Sequence, residues 1–205
     1  LPMSVTLSLA LSMRRMLKAN NLVRKMHACE TMGATDIICT DKTGTLTQNQ
    51  MSVREAHFFS LGEKSALGDS LMSKVIAECI ACNSTAYLDV SNPDKAKALG
   101  NPTEGALLLW LRENGVDYLP VREGVKVVEQ LPFSTERKYM ATIVESKAIG
   151  KRVLYVKGAP EILIKMSKTI AEGVAVADIE KMLAGFQAKA MRTLGFAYQV
   201  LEDGD

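Results

Sequence analysis

The sequence predicts a protein of the α/β (α+β) class, in which a mainly antiparallel sheet is flanked by helices. Three strand-like runs, "VKVVEQL", "YMATIVE" and "RVLYV", follow one another between 125 and 156 with short polar loops between them, which favours an antiparallel meander. Apolar residues recur at helical spacing over 65–82 and 175–192. The short β-branched run in "ATDIICTDKTG" ends in a glycine-containing loop, the profile of a buried parallel strand.

The composition limits the class of protein and its partners. A chain of 205 residues with 47% apolar content can bury a sizeable core. The net charge of +2 does not favour a nucleic-acid partner. Four cysteines are too few for a disulfide scaffold and suit a reducing compartment.

The N-terminal residues suggest the edge of a membrane. The stretch 1–13 is uncharged and precedes the basic cluster "RRMLK", but a crossing helix needs about 20 residues. We therefore expect the last part of a crossing helix with the basic cluster on the cytoplasmic side, in a chain that is a piece of a longer protein. The polar residues of 1–13 alternate with apolar ones at a period of two, which is formally a strand pattern. We favour a helix because the run is long for a strand. A second, basic and Met-rich helix is predicted over 14–32.

Local signals predict several element boundaries. Asn101 is expected to cap a helix whose first turn contains Pro102. Pro160 is expected to begin the helix "PEILIKMSK". The runs "MSVREAHFF" and "GFAYQVL" are predicted to be strands.

The stretch "CTDKTGTLT" at 39–47 combines residues suited to covalent phosphoryl transfer. Such transfer needs a carboxylate that attacks in line, donors for the phosphate oxygens and Mg²⁺. Asp41 follows the predicted strand, Gly44 lets backbone N–H groups close around phosphate oxygens, and Thr43 and Thr45 add hydroxyls. The alternative is that Asp41 only caps a turn.

"DKTGTLT" is the signature of the P-type ion-pumping ATPases, and the resemblance covers almost the whole chain. "NNLVRKMHACETMGATDIICTDKTGTLTQNQMSV" resembles the stalk and phosphorylation segment of the calcium-pump branch. "GNPTEGALL", "PFSTERKYM", "VKGAPEIL" and "MRTLGFAY" resemble, in this order, the four recognition segments of its nucleotide-binding domain. The resemblance implies the end of a membrane helix and a stalk helix in 1–34, the first strand of a haloacid-dehalogenase-like phosphorylation domain in 35–52, and a nucleotide-binding domain in 53–205.

The resemblance also implies residue roles. Asp41 would be phosphorylated and would share Mg²⁺ with the carbonyl of Thr43. Lys42 and Thr45 would complete the catalytic loop. The ATP-binding residues would be Phe133 stacked on adenine, Glu104 on the adenine side, Lys138 and Lys157 lining the pocket, Gly158 with its backbone close to the nucleotide, and Arg192 near the phosphates.

Each of these residues has a simpler alternative role. Glu104 could form a capping box with Asn101, and Phe133 could lie in the core. Lys157 and Gly158 could form an ordinary strand-to-helix turn. Lys138 and Arg192 could be solvated charges. Cys79 and Cys82 lie on the apolar stripe of a predicted helix, so they are interpreted as buried structural thiols rather than metal ligands.

The resemblance implies an ATP-driven cation transporter, with calcium favoured, whose partners are ATP and the rest of the same pump: membrane, actuator and remaining phosphorylation domain. This segment would lie on the cytoplasmic face of the membrane. One alternative is a haloacid-dehalogenase-type phosphatase, but those enzymes carry a second Asp where this chain has Thr43. The other is a nucleotide-binding module without catalysis. A P-loop is excluded because no G-x-x-x-x-G-K-[ST] occurs.

Overall fold

The computed structural model describes residues 2–62, 66–91, 96–171 and 173–202. The chain divides into two compact units, Leu1–Asn49 and Gln50–Asp205.

The described residues of the first unit form the α-helices α1 (Pro2–Lys18) and α2 (Met26–Gly33). The helix favoured for 1–13 is confirmed, whereas the single helix predicted over 14–32 is wrong. The chain leaves α1 after Lys18, and Asn20 adopts φ 60°. Asparagine tolerates this left-handed conformation better than most residues, so the Asn20-Asn21 pair ends the helix.

The buried strand predicted before Asp41 does not form among the described residues. Residues 35–41 carry no strand pairing, and Ile37 and Ile38 are 79% and 81% exposed. A parallel strand needs neighbours to pair with its backbone groups, and the described part of this unit has no other strand. The strand predicted for "MSVREAHFF" is also wrong, because 51–58 is unpaired and is followed by a short 3₁₀ turn, Phe59–Leu61.

The second unit is built on a four-stranded antiparallel sheet, which confirms the predicted meander. Its strands are β3 (Lys126–Leu131), β4 (Tyr139–Glu145), β5 (Arg152–Gly158) and β6 (Gly195–Val200), in the spatial order β3-β4-β5-β6. β3 and β6 are the edges. β3 is exposed along its length and its register shifts between Val127 and Glu129.

The remaining elements surround this sheet. α3 (Leu71–Cys82) begins after the cap Ser70, later than the predicted start at 65. α4 (Pro102–Glu113) is capped by Asn101, α6 (Pro160–Met166) begins at Pro160, and α7 (Val176–Ala188) ends before the predicted 192. α5 (Tyr118–Glu123) and the hairpin β1 (Tyr87–Asp89) and β2 (Lys97–Leu99) were not predicted.

The core covers both faces of the sheet. Val144, Val153 and Tyr155 are fully buried on one face, in one cluster with residues of α3 and α4. On the other face, Ala141 and Val156 pack against Leu163 of α6. Successive residues of a strand point to opposite faces, so burial on both faces gives the consecutive buried residues Met140–Thr142 in β4 and Tyr155–Gly158 in β5.

A buried carboxylate joins α3 to the turn between β4 and β5. The Glu78 carboxylate accepts hydrogen bonds from Tyr155 Oη at 2.6 Å, Ser146 Oγ at 2.5 Å, and the backbone N–H groups of Lys147 at 2.9 Å and Ala148 at 3.4 Å. Burial and the bond to Glu78 raise the pKa of Tyr155. The phenol therefore remains a donor, and the carboxylate is buried with its partners satisfied.

Tyr155→Phe tests this network. The substitution removes the phenol donor while keeping the ring, and should lower the free energy of unfolding by about 1–3 kcal/mol because a buried carboxylate loses a partner. Urea denaturation measures the change. Tyr198 pairs directly with Tyr155 on β6 but is 45% exposed, so Tyr198→Phe should stay within about 0.5 kcal/mol of the wild type. Equal effects of the two substitutions would contradict the prediction.

Candidate functional site

One end of the sheet gathers the predicted nucleotide-binding segments of the second unit. β3 and β5 end there, while β4 and β6 begin there, because Tyr139 pairs with Gly158 and Gly158 pairs with Gly195. The connection 132–138 and the residues just before β6 therefore lie at this end of the sheet. Antiparallel pairing thus brings together segments far apart in the sequence.

A buried ion pair lies at this end of the sheet. Lys157, near the end of β5, donates from Nζ to Glu104 Oε1 at 2.7 Å and to the main-chain carbonyl of Asn83. Both charged side chains are only 7% exposed. Glu104 belongs to the first turn of α4, so the pair connects this helix to the sheet.

The second oxygen of the same carboxylate is bound by the turn after α3. Glu104 Oε2 accepts four hydrogen bonds, from Thr85 N (2.7 Å), Thr85 Oγ1 (2.8 Å), Ala86 N (3.1 Å) and Ser84 Oγ (3.3 Å). Asn101 caps α4 through its own side chain, which accepts from Thr103 N and Glu104 N. The capping-box role considered for Glu104 is therefore wrong, because its carboxylate is bound to Lys157 and to the turn 84–86.

The Glu104 carboxylate and the Lys157 ammonium each favour the charged form of the other. Burial pushes the pKa of Glu104 upward, but the Lys157 ammonium and the Thr85 donors outweigh burial and hold this pKa below its ordinary value. Burial also lowers the pKa of Lys157, and the Glu104 carboxylate offsets part of that shift. Each charge thus depends on the other for its stability inside the protein.

Gly158 allows two strands to meet closely beside this pair. A Cβ atom at this position would lie 2.5 Å from the carbonyl oxygen of Lys138 and 2.5 Å from Tyr139 Cβ. Lys138 itself has φ 59°, and its carbonyl accepts from Ala159 N at 3.0 Å. The glycine is thus needed for close approach of the backbone and not for an unusual φ of its own.

The other predicted nucleotide-binding residues are exposed at this end of the sheet. Phe133 is 56% exposed, so the alternative that it lies in the core is wrong. Lys138 and Arg192 are also exposed. Arg192 Nη1 donates to Thr103 Oγ1 at 2.9 Å, which connects the segment before β6 to the first turn of α4.

The predicted phosphorylation loop lies in the first unit and is exposed. Its residues 42–46 form a single turn in which Gly44 has φ 79°. Asp41 Oδ1 accepts from Lys42 N at 2.7 Å, and Gly44 N donates to Thr47 Oγ1 at 3.4 Å. Asp41 therefore caps this turn, with its other oxygen making no hydrogen bond within the described residues.

Several residues at the site were missed from the sequence. Asn83, Ser84 and Thr85 form the turn that binds the ion pair, and Thr103 receives Arg192. The polar run "NST" after an apolar helix was a signal for a loop. Its partners could not be read from the sequence, because Glu104 and Lys157 are distant along the chain.

The two cysteines of α3 are buried, as predicted. Cys79 and Cys82 are free and buried. Burial raises the pKa of each thiol to about 12, which leaves both protonated and unreactive near neutral pH. Among the described residues, no group of three or more His, Cys, Asp or Glu side chains could hold a metal ion.

Comparisons with known proteins agree with the fold. Residues 71–205 match the family model of the P-type ATPase cytoplasmic domain N, and the chain belongs to this family. Relatives include the calcium-transporting ATPase PAT1 of Dictyostelium discoideum, 37% identical over all of this chain and 19% of that protein. Plasma membrane calcium-transporting ATPase 4 of Bos taurus is 38% identical over all of this chain and 19% of that protein. For the calcium-transporting ATPase of Bacillus subtilis, the identity is 34% over all of this chain and 26% of that protein.

The chain thus spans about a fifth to a quarter of the length of these curated relatives. P-type ATPases use ATP and Mg²⁺.

Across the described ranges, no helix combines the length and the apolar character needed to span a bilayer.

Single and double substitutions test the buried ion pair. Glu104→Gln or Lys157→Met alone should each lower the free energy of unfolding by about 3–5 kcal/mol, because the remaining charge is left buried without its partner. The double variant should recover part of this loss. Urea denaturation of the four proteins gives the coupling between the residues.

The exposed ion pair between β3 and β4 provides the control. Lys126 Nζ lies 2.9 Å from Glu145 Oε1, and the side chains are 72% and 44% exposed. Lys126→Met should therefore cost below about 1 kcal/mol. Additive losses at Glu104 and Lys157 would show that the buried groups do not depend on each other.

Proposed function

We propose that residues 50–205 bind ATP at the end of the sheet where β3 and β5 end. The observation that carries this proposal is the convergence of an exposed aromatic ring, two exposed cations and a close glycine around the buried Glu104–Lys157 pair. Large exposed aromatic rings are suited to stacking on a nucleobase. The family match to cytoplasmic domain N supports the same assignment.

Each residue would contribute a different interaction with the nucleotide. Phe133 would stack on the adenine, and Glu104 and Lys157 would form the polar inner wall. The absent side chain at Gly158 would let the nucleotide approach the backbone. Lys138 and Arg192 would attract the phosphates, since exposed cations retain favourable interactions with polyanions.

We further propose that Asp41 receives the γ-phosphate of this ATP. A carboxylate oxygen of Asp41 would form the new bond to phosphorus while the bond from phosphorus to the β,γ-bridging oxygen breaks, and ADP leaves with those electrons. The backbone of the turn at Gly44, with Thr45 and Lys42, would bind the transferred oxygens. Asp41 and the carbonyl of Thr43 would hold Mg²⁺, which neutralises phosphate charge and typically binds few protein ligands beside phosphate oxygens.

In the complete protein, the aspartyl phosphate would drive the transport of a cation, with calcium favoured by the names of the relatives. The partners would be the membrane, actuator and remaining phosphorylation parts of the same pump, with these residues on the cytoplasmic face. The same relatives favour a pump over a haloacid-dehalogenase-type phosphatase or an inert nucleotide-binding module. Thr43 in place of a second Asp supports this choice, because removing a general acid prolongs the life of a phosphoenzyme.

Titration calorimetry with ATP and Mg²⁺ tests the nucleotide site. Phe133→Ala should weaken binding about 5- to 150-fold, since stacking of a base on an aromatic ring contributes about 1–3 kcal/mol. Tyr198→Ala is the matched control, because Tyr198 is an exposed aromatic residue in the interior of β6, and should leave the affinity unchanged. Absence of binding by the folded wild-type chain would overturn the proposal.

Incubation with ATP labelled at the γ-phosphate tests the role of Asp41. Because residues 35–41 form no strand and Asp41 is exposed, we expect the 205-residue chain to bind ATP without measurable label transfer. Label should appear in the complete protein and be lost in Asp41→Asn. Label that persists in this variant would assign the phosphate to another residue, and a burst of phosphate from the 205-residue chain would contradict the expectation for the isolated chain.

A further inference from the structure

Asn83 is a fully buried amide at the junction of α3 and the sheet. It follows the last residue of α3 and is 0% exposed. Its Nδ2 donates to the carbonyls of Met140 and Tyr155, both at 3.4 Å, and its Oδ1 accepts from Thr142 Oγ1 at 2.9 Å. The side chain therefore bonds the end of α3 to both central strands.

These anchoring points lie on the part of the sheet that carries Lys157. Met140 pairs with Lys157, and Thr142 pairs with Tyr155 in the β4–β5 register. The Asn83 amide thus spans two residue pairs on the same face of the sheet, with the pair Ala141–Val156 between them. Any movement of the end of α3 along the strands would break bonds to both.

The backbone that Asn83 anchors binds both members of the ion pair. Its own carbonyl accepts from Lys157 Nζ. The next three residues donate to Glu104 Oε2, namely Ser84, Thr85 and Ala86. The position of this turn therefore sets where the ammonium and the carboxylate lie.

Apolar packing of α3 on the sheet cannot set that position alone. Contacts of Ile80 and Val75 with the core are non-directional, so they tolerate a small displacement of the helix end. Hydrogen bonds weaken steeply when their distance or angle departs from the optimum. Two side chains supply directional constraints at this junction: Asn83 through its three bonds, and Arg122, which donates to the carbonyls of Ala81 at 2.7 Å and Ala86 at 3.0 Å. Of the two, only Asn83 bonds the junction to the central strands.

We propose that Asn83 is a positioning residue of the nucleotide site, which holds the turn 83–86 so that Lys157 and Glu104 face the adenine side of the pocket. This proposal rests on the nucleotide-binding function proposed above. Asn83 acts through the ion pair and does not contact the nucleotide. Its removal should displace the pair while leaving the apolar core of α3 in place.

Two variants and one packing control test this proposal. Asn83→Ala removes all three side-chain bonds, and Thr142→Val removes the donor to Asn83 Oδ1 with little change in shape. Ile80→Val removes one carbon atom from the fully buried face of the same helix, so it perturbs packing and leaves the amide intact. ATP affinity is measured by calorimetry, and the ¹³Cε resonance of Lys157 by NMR of lysine-labelled protein without nucleotide.

Asn83→Ala should weaken ATP binding about tenfold or more, since its buried hydrogen bonds are lost together. Thr142→Val should weaken it less, and both should shift the Lys157 resonance. Ile80→Val should leave affinity and resonance unchanged. Wild-type affinity in Asn83→Ala and Thr142→Val, or an equal loss in Ile80→Val, would overturn the proposal.

The two measurements separate this proposal from the function on which it rests. If the wild-type chain does not bind ATP, the nucleotide site fails, and the Lys157 resonance still decides whether Asn83 positions the ammonium. An unmoved resonance in both folded variants would overturn the positioning role. If Asn83→Ala does not fold, the milder Thr142→Val decides by the same two measurements.

Discussion

The buried ion pair between Glu104 and Lys157 is the constraint on which the proposed nucleotide-binding end of the second unit depends. Two charges 7% exposed are stable in the interior only if each keeps its partner and its hydrogen bonds. This requirement ties three elements together, because the pair needs the first turn of α4, the end of β5 and the turn after α3 in fixed positions. The hydrogen bonds that stabilise the two buried charges therefore also fix the relative positions of these three elements.

A second buried carboxylate, that of Glu78, accepts hydrogen bonds in a similar way at the opposite end of the same strands. Glu78 accepts from the turn between β4 and β5, whereas Glu104 accepts from the turn after α3. The C-terminal half of α3 is thus fixed at two points, by Glu78 within the helix and by Asn83 directly after it. Packing buries the apolar area, and these polar networks select one arrangement of helix on sheet.

The proposed function is divided between two units of unlike character. The exposed side chains Phe133, Lys138 and Arg192 lie in loops at one end of a sheet, beside the buried Glu104–Lys157 pair. Asp41 lies in an exposed turn, and the apolar residues before it are equally exposed. A nucleotide site can form within one sheet, whereas in-line phosphoryl transfer needs a nucleophile held in a fixed geometry.

The sequence by itself determined the family motifs, the meander of β3 to β5 and the cap of α4 by Asn101, because period-two patterns and capping residues act over a few neighbouring positions. It also indicated which residues would gather at the site. Only the tertiary structure decided that Glu104 binds Lys157 instead of capping α4, and that Phe133 is exposed. The apolar pattern of 35–41 predicted a strand, but the structure shows no strand at these residues. Burial and pairing depend on residues distant in the sequence, and a strand forms only where other strands receive its hydrogen bonds.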